Sequence, residues 1–457
     1  MPIRGLLYLY ILFVGSVGLI SYRKSIYLTW LTILFVPTIL LEQNLKFSLP
    51  AQCYLMYVSV FSELVHQDRR QYWISFFTRN QKSVILYLLV SLTIIFLSQT
   101  VPIKNQFQQL LTEIAMLLFV LQTFLLVTDQ PASAFSLRRI VCWTIIFNMV
   151  FCLIFEVIIG VNPAGMPLYI LLGQDNNEFI VDMIESERGA LSFRAQTIYR
   201  HPLSLGQYML ALLPLFLSRN RLRFSSLYLL VVCMLIVLSG SRGVIVPMLL
   251  VLFLVLLKNV KANFQKFMMF LIIMVIAISF VPDRKWNNFV KEAEPFVASI
   301  QFWDDEKQKE NDIEGSSMEL RVNQFNAALK EINDNPFFGR GYGYRDYYIG
   351  KHNALHPDLL GFESVLLLYL VERGVIGLLF FFIIVRYIYK LFKKETDEDI
   401  IIRYIFLSYI ISIVMTGVRP LTLLFVCLAS LITIGISKNM VMDKENVEID
   451  ANLIDKA

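Results

Sequence analysis

The chain has 457 residues, 56% of them hydrophobic and only 17% charged, against about 25% charged in an ordinary soluble domain. A water-soluble core of this size does not need so much apolar sequence, and a net charge of +5 is too small to mark a nucleic-acid binder. Cys53, Cys142, Cys152, Cys233 and Cys427 all lie in or beside apolar runs and none forms a C-x-x-C pair, which reads as small buried residues and excludes a disulfide framework or cysteine metal site.

Arg4 precedes the first apolar run and no clear small-residue cleavage site follows it, so that run reads as a span and not as a removed signal. Apolar runs then recur at 5–20, 26–41, 50–65, 83–99, 108–127, 138–160, 203–218, 225–240, 244–258, 264–281, 361–390, 400–416 and 420–437. At about 17–25 residues per crossing they predict an all-α polytopic membrane protein with about 12–13 transmembrane helices. The run 50–65 is the most polar of them, with Gln52, Glu63 and His66.

Basic residues cluster in alternate loops: Arg69, Arg70, Arg79 and Lys82; Arg138 and Arg139; Arg219, Arg221 and Arg223; Lys258, Lys261 and Lys266; Arg386, Lys390, Lys393 and Lys394. Counting crossings between them puts every cluster on the same side, the cytoplasmic one. The chain then divides into N-terminal spans 1–160, an extracytoplasmic loop 161–202, core spans 203–281, a large extracytoplasmic loop 282–358, C-terminal spans 359–437 and a cytoplasmic tail 438–457, polar and without periodicity, that reads as disordered. The stretch 282–358 is far longer than a mere connector, and its aromatics, glycines and paired charges suit a folded, functional loop.

Candidate site residues gather on the extracytoplasmic side. Arg194, Arg200 and His201 precede Pro202, which suits a helix start; they form either an anion site at a helix N-terminus or ordinary interfacial charge. Arg242 lies in the turn Ser239-Gly240-Ser241-Arg242-Gly243 at the end of a span. It either grips an anion in two-pronged fashion or anchors the span at the interface. Arg321 opens a segment in which Phe325, Ala328, Leu329 and Ile332 recur at helical spacing, an amphipathic helix suited to a membrane surface. Pro336 ends it, and Gly339, Gly341 and Gly343 allow a tight turn that, with no strand before it, is not a nucleotide loop. His352, His356 and Glu363 follow. A zinc site there lacks a third ligand at suitable spacing, whereas a general base acting on a hydroxyl fits His and Glu, and a carboxylate entering a membrane helix is a functional residue by default.

Taken together, these segments resemble the O-antigen ligase/polymerase superfamily of bacterial cell-envelope polysaccharide assembly. The similarity runs through Arg194 to Pro202, the Gly240–Gly243 turn, the Arg321 helix ending in Asn335-Pro336-Phe337-Phe338-Gly339-Arg340-Gly341-Tyr342-Gly343, and the closing Glu372-Arg373-Gly374-Val375-Ile376-Gly377. The resemblance implies a GT-C-like multi-span glycosyltransferase of the plasma (inner) membrane that needs neither metal nor cofactor. Its donor is an oligosaccharide on undecaprenyl pyrophosphate, the acceptor is a sugar hydroxyl, and the site faces outside. Arg242 and Arg321 then bind the pyrophosphate with Arg194 or Arg200 assisting, and charge stabilisation by arginine replaces a metal. The family's His-Asn pair ahead of its closing Glu falls here on Glu363-Ser364, while His352-Asn353 stands earlier in the loop, so the base is His352, His356 or Glu363. Membrane lipids, a chain-length regulator and a flippase are the implied partners. The implied activity is polymerisation of repeat units into an O-antigen, capsule or exopolysaccharide; the alternative is a ligase that moves the finished glycan to lipid A core. A lipid-linked oligosaccharide transporter fits less well, since no related halves are visible.

Overall fold

A computed structural model describes residues 2–45, 49–98, 100–165, 194–217, 225–258, 318–352, 356, 359, 364–392, 399–417 and 421–454. Those residues are mostly helical, with no strand among them. The elements are α1 (Pro2–Ile20), α2 (Tyr22–Phe35), α3 (Thr38–Leu41), α4 (Ala51–Leu64), α5 (Gln67–Arg79), α6 (Gln81–Leu97), α7 (Ile103–Asp129), α8 (Ser133–Phe151), α9 (Pro202–Leu212), α10 (Ser225–Leu238), α11 (Arg242–Lys258), α12 (Met318–Ile332), α13 (Tyr344–His352), α14 (Val365–Phe392), α15 (Asp399–Met415) and α16 (Thr422–Ile454).

Every expected apolar run falls on a helix except 264–281, which lies outside the described residues. The runs are not equal, however. Among the described residues four helices are long and apolar enough to cross a membrane: Ile103–Asp129, Ser133–Ile159, Val365–Phe392 and Thr422–Asn439. α5 and α6 pass together as one broken span, bent by 73°, and shorter apolar helices make up the rest. About 12–13 spans are expected, and among the described residues several of the shorter runs are interrupted. Pro37 separates α2 from α3, a π-turn over Cys152–Ile159 continues α8, and a 3-10 turn with Pro214 ends α9. The polytopic, all-α reading holds. The expected disordered tail differs: α16 runs on to Ile454, in keeping with the helix-forming Lys, Glu and Met residues beyond position 437.

α9 sits at the centre. Nearly all of its residues are buried, as in a helix surrounded on every side. Tyr208 stacks on Phe425 of α16 at 4.3 Å and meets Tyr199 edge-on at 5.0 Å. By contrast α1 and α6 leave Leu9, Leu12, Ile20, Leu89 and Phe96 exposed, the lipid-facing surface of such a bundle. At the α5 bend the buried Arg69 pairs with Glu63 at 2.7 Å and Asp129 at 3.1 Å and lies over the Tyr22 ring. A buried cation with two carboxylates is satisfied in apolar surroundings.

The Arg321 segment is a helix, as its periodicity predicts, but its apolar residues split between two faces. Ala328 and Ile332, with the buried Gln324, pack on Leu367, Leu370 and Val371 of α14; Val322, Phe325 and Leu329 are exposed.

Candidate functional site

α14 is broken at Gly374, which holds φ 64° and ψ −169° inside the helix. A break of this kind releases backbone donors and acceptors, and buried ones need new partners. The loop 336–343 supplies them. Arg340 N–H donates to Val371 O and Gly341 N–H to Glu372 O, each at 2.8 Å, while Val375 N–H donates to Pro336 O at 2.9 Å and Ile376 N–H to Phe337 O at 3.2 Å. Two motifs distant in sequence are thus one structural unit. The glycines are required: a Cβ on Gly374 would overlap Phe337 backbone, and one on Gly339, at φ 69°, would stand 2.6 Å from Gly374 N. The α6–α7 turn holds the loop from its other side, with Ser98 Oγ donating to Phe338 O at 2.9 Å and Tyr342 N–H to Gln106 Oε1 at 3.2 Å.

This unit carries Glu372 and Arg373 into a cavity of about 490 Å³ walled by the α3–α4 segment, α6, α7, α13, α14, α15 and α16. Arg373 lies between the rings of Tyr369 and Tyr342, 4.0 and 4.2 Å from their centroids, and pairs with Glu113 of α7. Cation–π contact on both faces plus a carboxylate is what lets a guanidinium sit here. Glu372 is 8% exposed and accepts from Arg345 N–H at 3.3 Å; Arg345 itself pairs with Asp346 at 3.0 Å. One face of α7 runs along the cavity as Asn105, Gln108, Gln109, Thr112, Glu113, Met116, Leu117 and Val120. That face changes from polar to apolar with depth, and Phe380, Phe381, Ile384, Leu424 and Cys427 close the deep end.

A second loop, 194–201, lies at the same end of the bundle. Its backbone is held by side chains. Glu156 Oε1 accepts from Gln196 N–H at 3.1 Å, Thr197 N–H at 2.8 Å and Asn162 Nδ2 at 2.7 Å. Thr197 takes φ 53°, an uncommon conformation for a β-branched residue, and its hydroxyl donates to Asn148 Oδ1 at 2.6 Å. Ala195 N–H donates to Leu238 O at 2.9 Å, which brings Arg194 onto the Ser239 turn, where it donates to Ser239 O at 3.0 Å and Ser241 Oγ at 2.8 Å. Gly206 and Gly243 leave no room there, facing Ser239 and Thr416.

The structure thus brings Arg194 to the Gly240–Gly243 turn. Arg242 begins α11 and Arg321 lies in the first turn of α12; their side chains, and Glu363, lie outside the described residues. Arg200 points elsewhere, pairing with Glu42 at 3.4 Å, itself on the cavity wall. His201 caps α9, its Nδ1 accepting from Leu203 N–H at 3.0 Å. His352 is exposed and its ring lies 4.3 Å from that of Tyr348. His356 is buried on Tyr348's other neighbourhood, at 4.8 Å. Its Nδ1 accepts from Leu359 N–H at 3.1 Å and its Nε2 faces Glu331 at 3.4 Å. Glu331 also accepts from the Tyr344 hydroxyl at 3.1 Å. Burial, together with that carboxylate, pushes Tyr344 up to about 12, so near neutral pH the hydroxyl keeps its proton and donates it to the bond. Both nitrogens of His356 are engaged in holding the loop. Among the described residues no group of three His, Cys, Asp or Glu side chains comes together as a metal site requires.

Sequence reasoning passed over Glu113 and Arg345 and took Glu372 and Arg373 only as parts of a closing motif. The signal for Glu113 and Arg373 was present, since ionisable residues inside apolar runs are functional by default. Arg345 follows the glycine turn and carries no signal of its own.

Residues 227–382 match the O-antigen ligase family. The resemblance to the O-antigen ligase/polymerase superfamily is therefore shown over that segment, which contains most of α10, all of α11, α12 and α13, the glycine loop and the break in α14. It supports an O-antigen ligase/polymerase-type function for this integral membrane protein. Neither the curated proteins nor the solved structures contain a match.

Proposed function

We propose that the protein is a glycosyltransferase that polymerises oligosaccharide repeat units carried on undecaprenyl pyrophosphate, at the outer face of the plasma membrane, into a surface polysaccharide such as an O-antigen, capsule or exopolysaccharide. The observation that supports it best is the cavity behind Glu372 and Arg373, charged and amide-rich at the loop end and apolar in its depth. Such a lining suits an amphiphile with a sugar head and a lipid tail. Arg194, Arg242 and Arg321, with Arg200 beside Glu42, hold the donor's pyrophosphate, as planar guanidinium groups hold phosphate oxygens. The acceptor hydroxyl attacks C1 of the donor's first sugar. The C1–O bond to phosphate breaks, the electron pair leaves with undecaprenyl pyrophosphate, and the hydroxyl proton passes to a base. Glu372 serves as that base, because its carboxylate lines the cavity, while His352 and Glu363 remain its competitors from the loop. Arginine offsets the charge that develops on the leaving group, and no metal or nucleotide sugar is consumed.

The test is an assay of purified protein in detergent with undecaprenyl-pyrophosphate-linked repeat units, without added metal, beside Arg242→Ala, Arg321→Ala, His352→Ala, Glu363→Gln and Glu372→Gln. A ladder of longer lipid-linked glycans is expected, abolished in both arginine variants and reduced at least about 100-fold in Glu372→Gln. The family match is to O-antigen ligases, so transfer only to an added terminal acceptor such as lipid A core would replace the polymerase with a ligase. Movement of lipid-linked glycan across vesicles with no bond formed would replace both with a transporter.

A further inference from the structure

The matched segment 227–382 provides the charged groups Arg345, Glu372 and Arg373, but the cavity's other wall comes from outside it. Gln52 of α4 and Asn105, Gln108 and Gln109 of α7 line the polar end. Asn44 adds another amide just before α4. Gln109 already donates to Asp346 at 3.4 Å. Gln52 is the buried amide of the wall: it is 2% exposed, and among the described residues its Oε1 has no hydrogen-bond partner, which is costly unless something pairs with it.

The chemistry of the wall selects the partner. Each amide both donates and accepts, and so does each sugar hydroxyl. The ring of Tyr347 on the same lining offers an apolar face with a polar tip, suited to the C–H face of a pyranose. The charged groups of the described lining are the carboxylates of Glu42, Glu113, Asp346 and Glu372 against the guanidinium groups of Arg345 and Arg373. Those two arginines are already paired with Asp346 and Glu113. Among these described groups an additional anion meets four carboxylates against two guanidinium groups that are already paired, whereas a neutral sugar finds matched donors and acceptors.

We infer that the amide wall formed by Gln52, Asn105, Gln108 and Gln109 is a saccharide-recognition subsite for neutral sugars of the acceptor glycan, and that it determines which repeat unit the protein accepts. This assignment of acceptor over donor rests on the transferase reading above; the wall's affinity for neutral sugar does not. The wall discriminates because the buried Gln52 amide, left unpaired by the wrong sugar, is penalised, which is how polar pockets reject analogues.

The test uses full-length protein in lipid nanodiscs and a panel of free neutral, amino-sugar and uronic-acid oligosaccharides, with binding read by saturation-transfer NMR and titration. Wild-type protein is expected to bind neutral members in preference to uronic-acid members. Gln52→Leu and Asn105→Leu are expected to weaken that binding at least about tenfold, with binding of undecaprenyl pyrophosphate and the thermal midpoint unchanged. In the ladder assay the same variants raise KM for the acceptor with kcat preserved at saturation. Equal glycan binding in wild type and both leucine variants, a preference for uronic acids, or no glycan binding by a protein that still binds undecaprenyl pyrophosphate would each overturn the inference. Should a leucine variant lose its thermal midpoint, Asn105→Asp and Gln52→Glu repeat the test with size kept, and their unchanged glycan binding would overturn it too. Glycan binding that depends on the wall in a protein that forms no glycosidic bond would instead overturn the transferase reading and leave the subsite standing.

Discussion

The loops 336–343 and 194–201 both set irregular backbone against a helix bundle, and they satisfy it by opposite means. The first meets the break in α14 through backbone: four main-chain bonds join loop and helix, with glycines at positive φ where the two segments touch. The second uses side chains: Glu156, Asn162, Asn148 and Thr38 take up the donors and acceptors of 195–200. A backbone-to-backbone joint tolerates no added atom, because its close approach is fixed by main-chain geometry. A side-chain joint tolerates exchange for any group that keeps the same acceptor. The two joints therefore predict different mutational behaviour, and the difference is measurable.

The largest effect is expected at Gly374→Ala. The new methyl meets Phe337 backbone and also forces a side chain into φ 64°, so a loss of about 3 kcal/mol or more is expected, enough to unseat the loop. Thermal denaturation in detergent, followed by tyrosine and tryptophan fluorescence, reads it, together with loss of transferase activity. A variant with an unchanged midpoint would mean that the loop does not close on the helix break.

Glu156 breaks the comparison from the other side. Glu156→Ala strands the Gln196 and Thr197 N–H groups and removes one of the two acceptors of Asn162 Nδ2, which keeps Thr197 O, at a cost of about 2–3 kcal/mol. Glu156→Gln keeps a carbonyl oxygen in the same place and is expected to recover most of that. The paired midpoints decide it: equal losses in Ala and Gln would show that the carboxylate's charge, and not its acceptor geometry, holds the loop.

Much of this architecture was legible in the sequence. Apolar length marked the helices, because a span must satisfy its backbone internally, and Pro336 with Gly339, Gly341 and Gly343 marked a tight turn. What stayed hidden was pairing. Nothing local says that Gly374 faces Gly339, or that Glu156 holds Gln196 and Thr197, since each contact joins segments far apart in the chain. Arg373 was read only as part of a closing motif because its partners, Glu113, Tyr342 and Tyr369, come from three separate elements. The amphipathic helix at Arg321 shows the same limit: periodicity gives its existence, while α14 decides that Ala328 and Ile332, and not Phe325, turn inward.

Arg200→Gln carries the smallest expected change in stability and the sharpest functional reading. The Arg200 side chain is 48% exposed, and its partner Glu42 is 23% exposed at 3.4 Å. A pair this open contributes below about 1 kcal/mol, so the thermal midpoint is expected to stay near that of wild type. The backbone of Arg200 is held separately, by Thr38 Oγ1 at 2.8 Å, so the loop keeps its place when the side chain changes. A fall in turnover at unchanged stability is then the signature of a guanidinium beside Glu42 that meets the substrate. If it holds pyrophosphate there, Arg200→Gln slows transfer by about tenfold or more at unchanged stability and raises KM for the donor. If turnover and KM are both unchanged, Arg200 is an interfacial charge paired with Glu42, and phosphate binding falls to Arg194, Arg242 and Arg321.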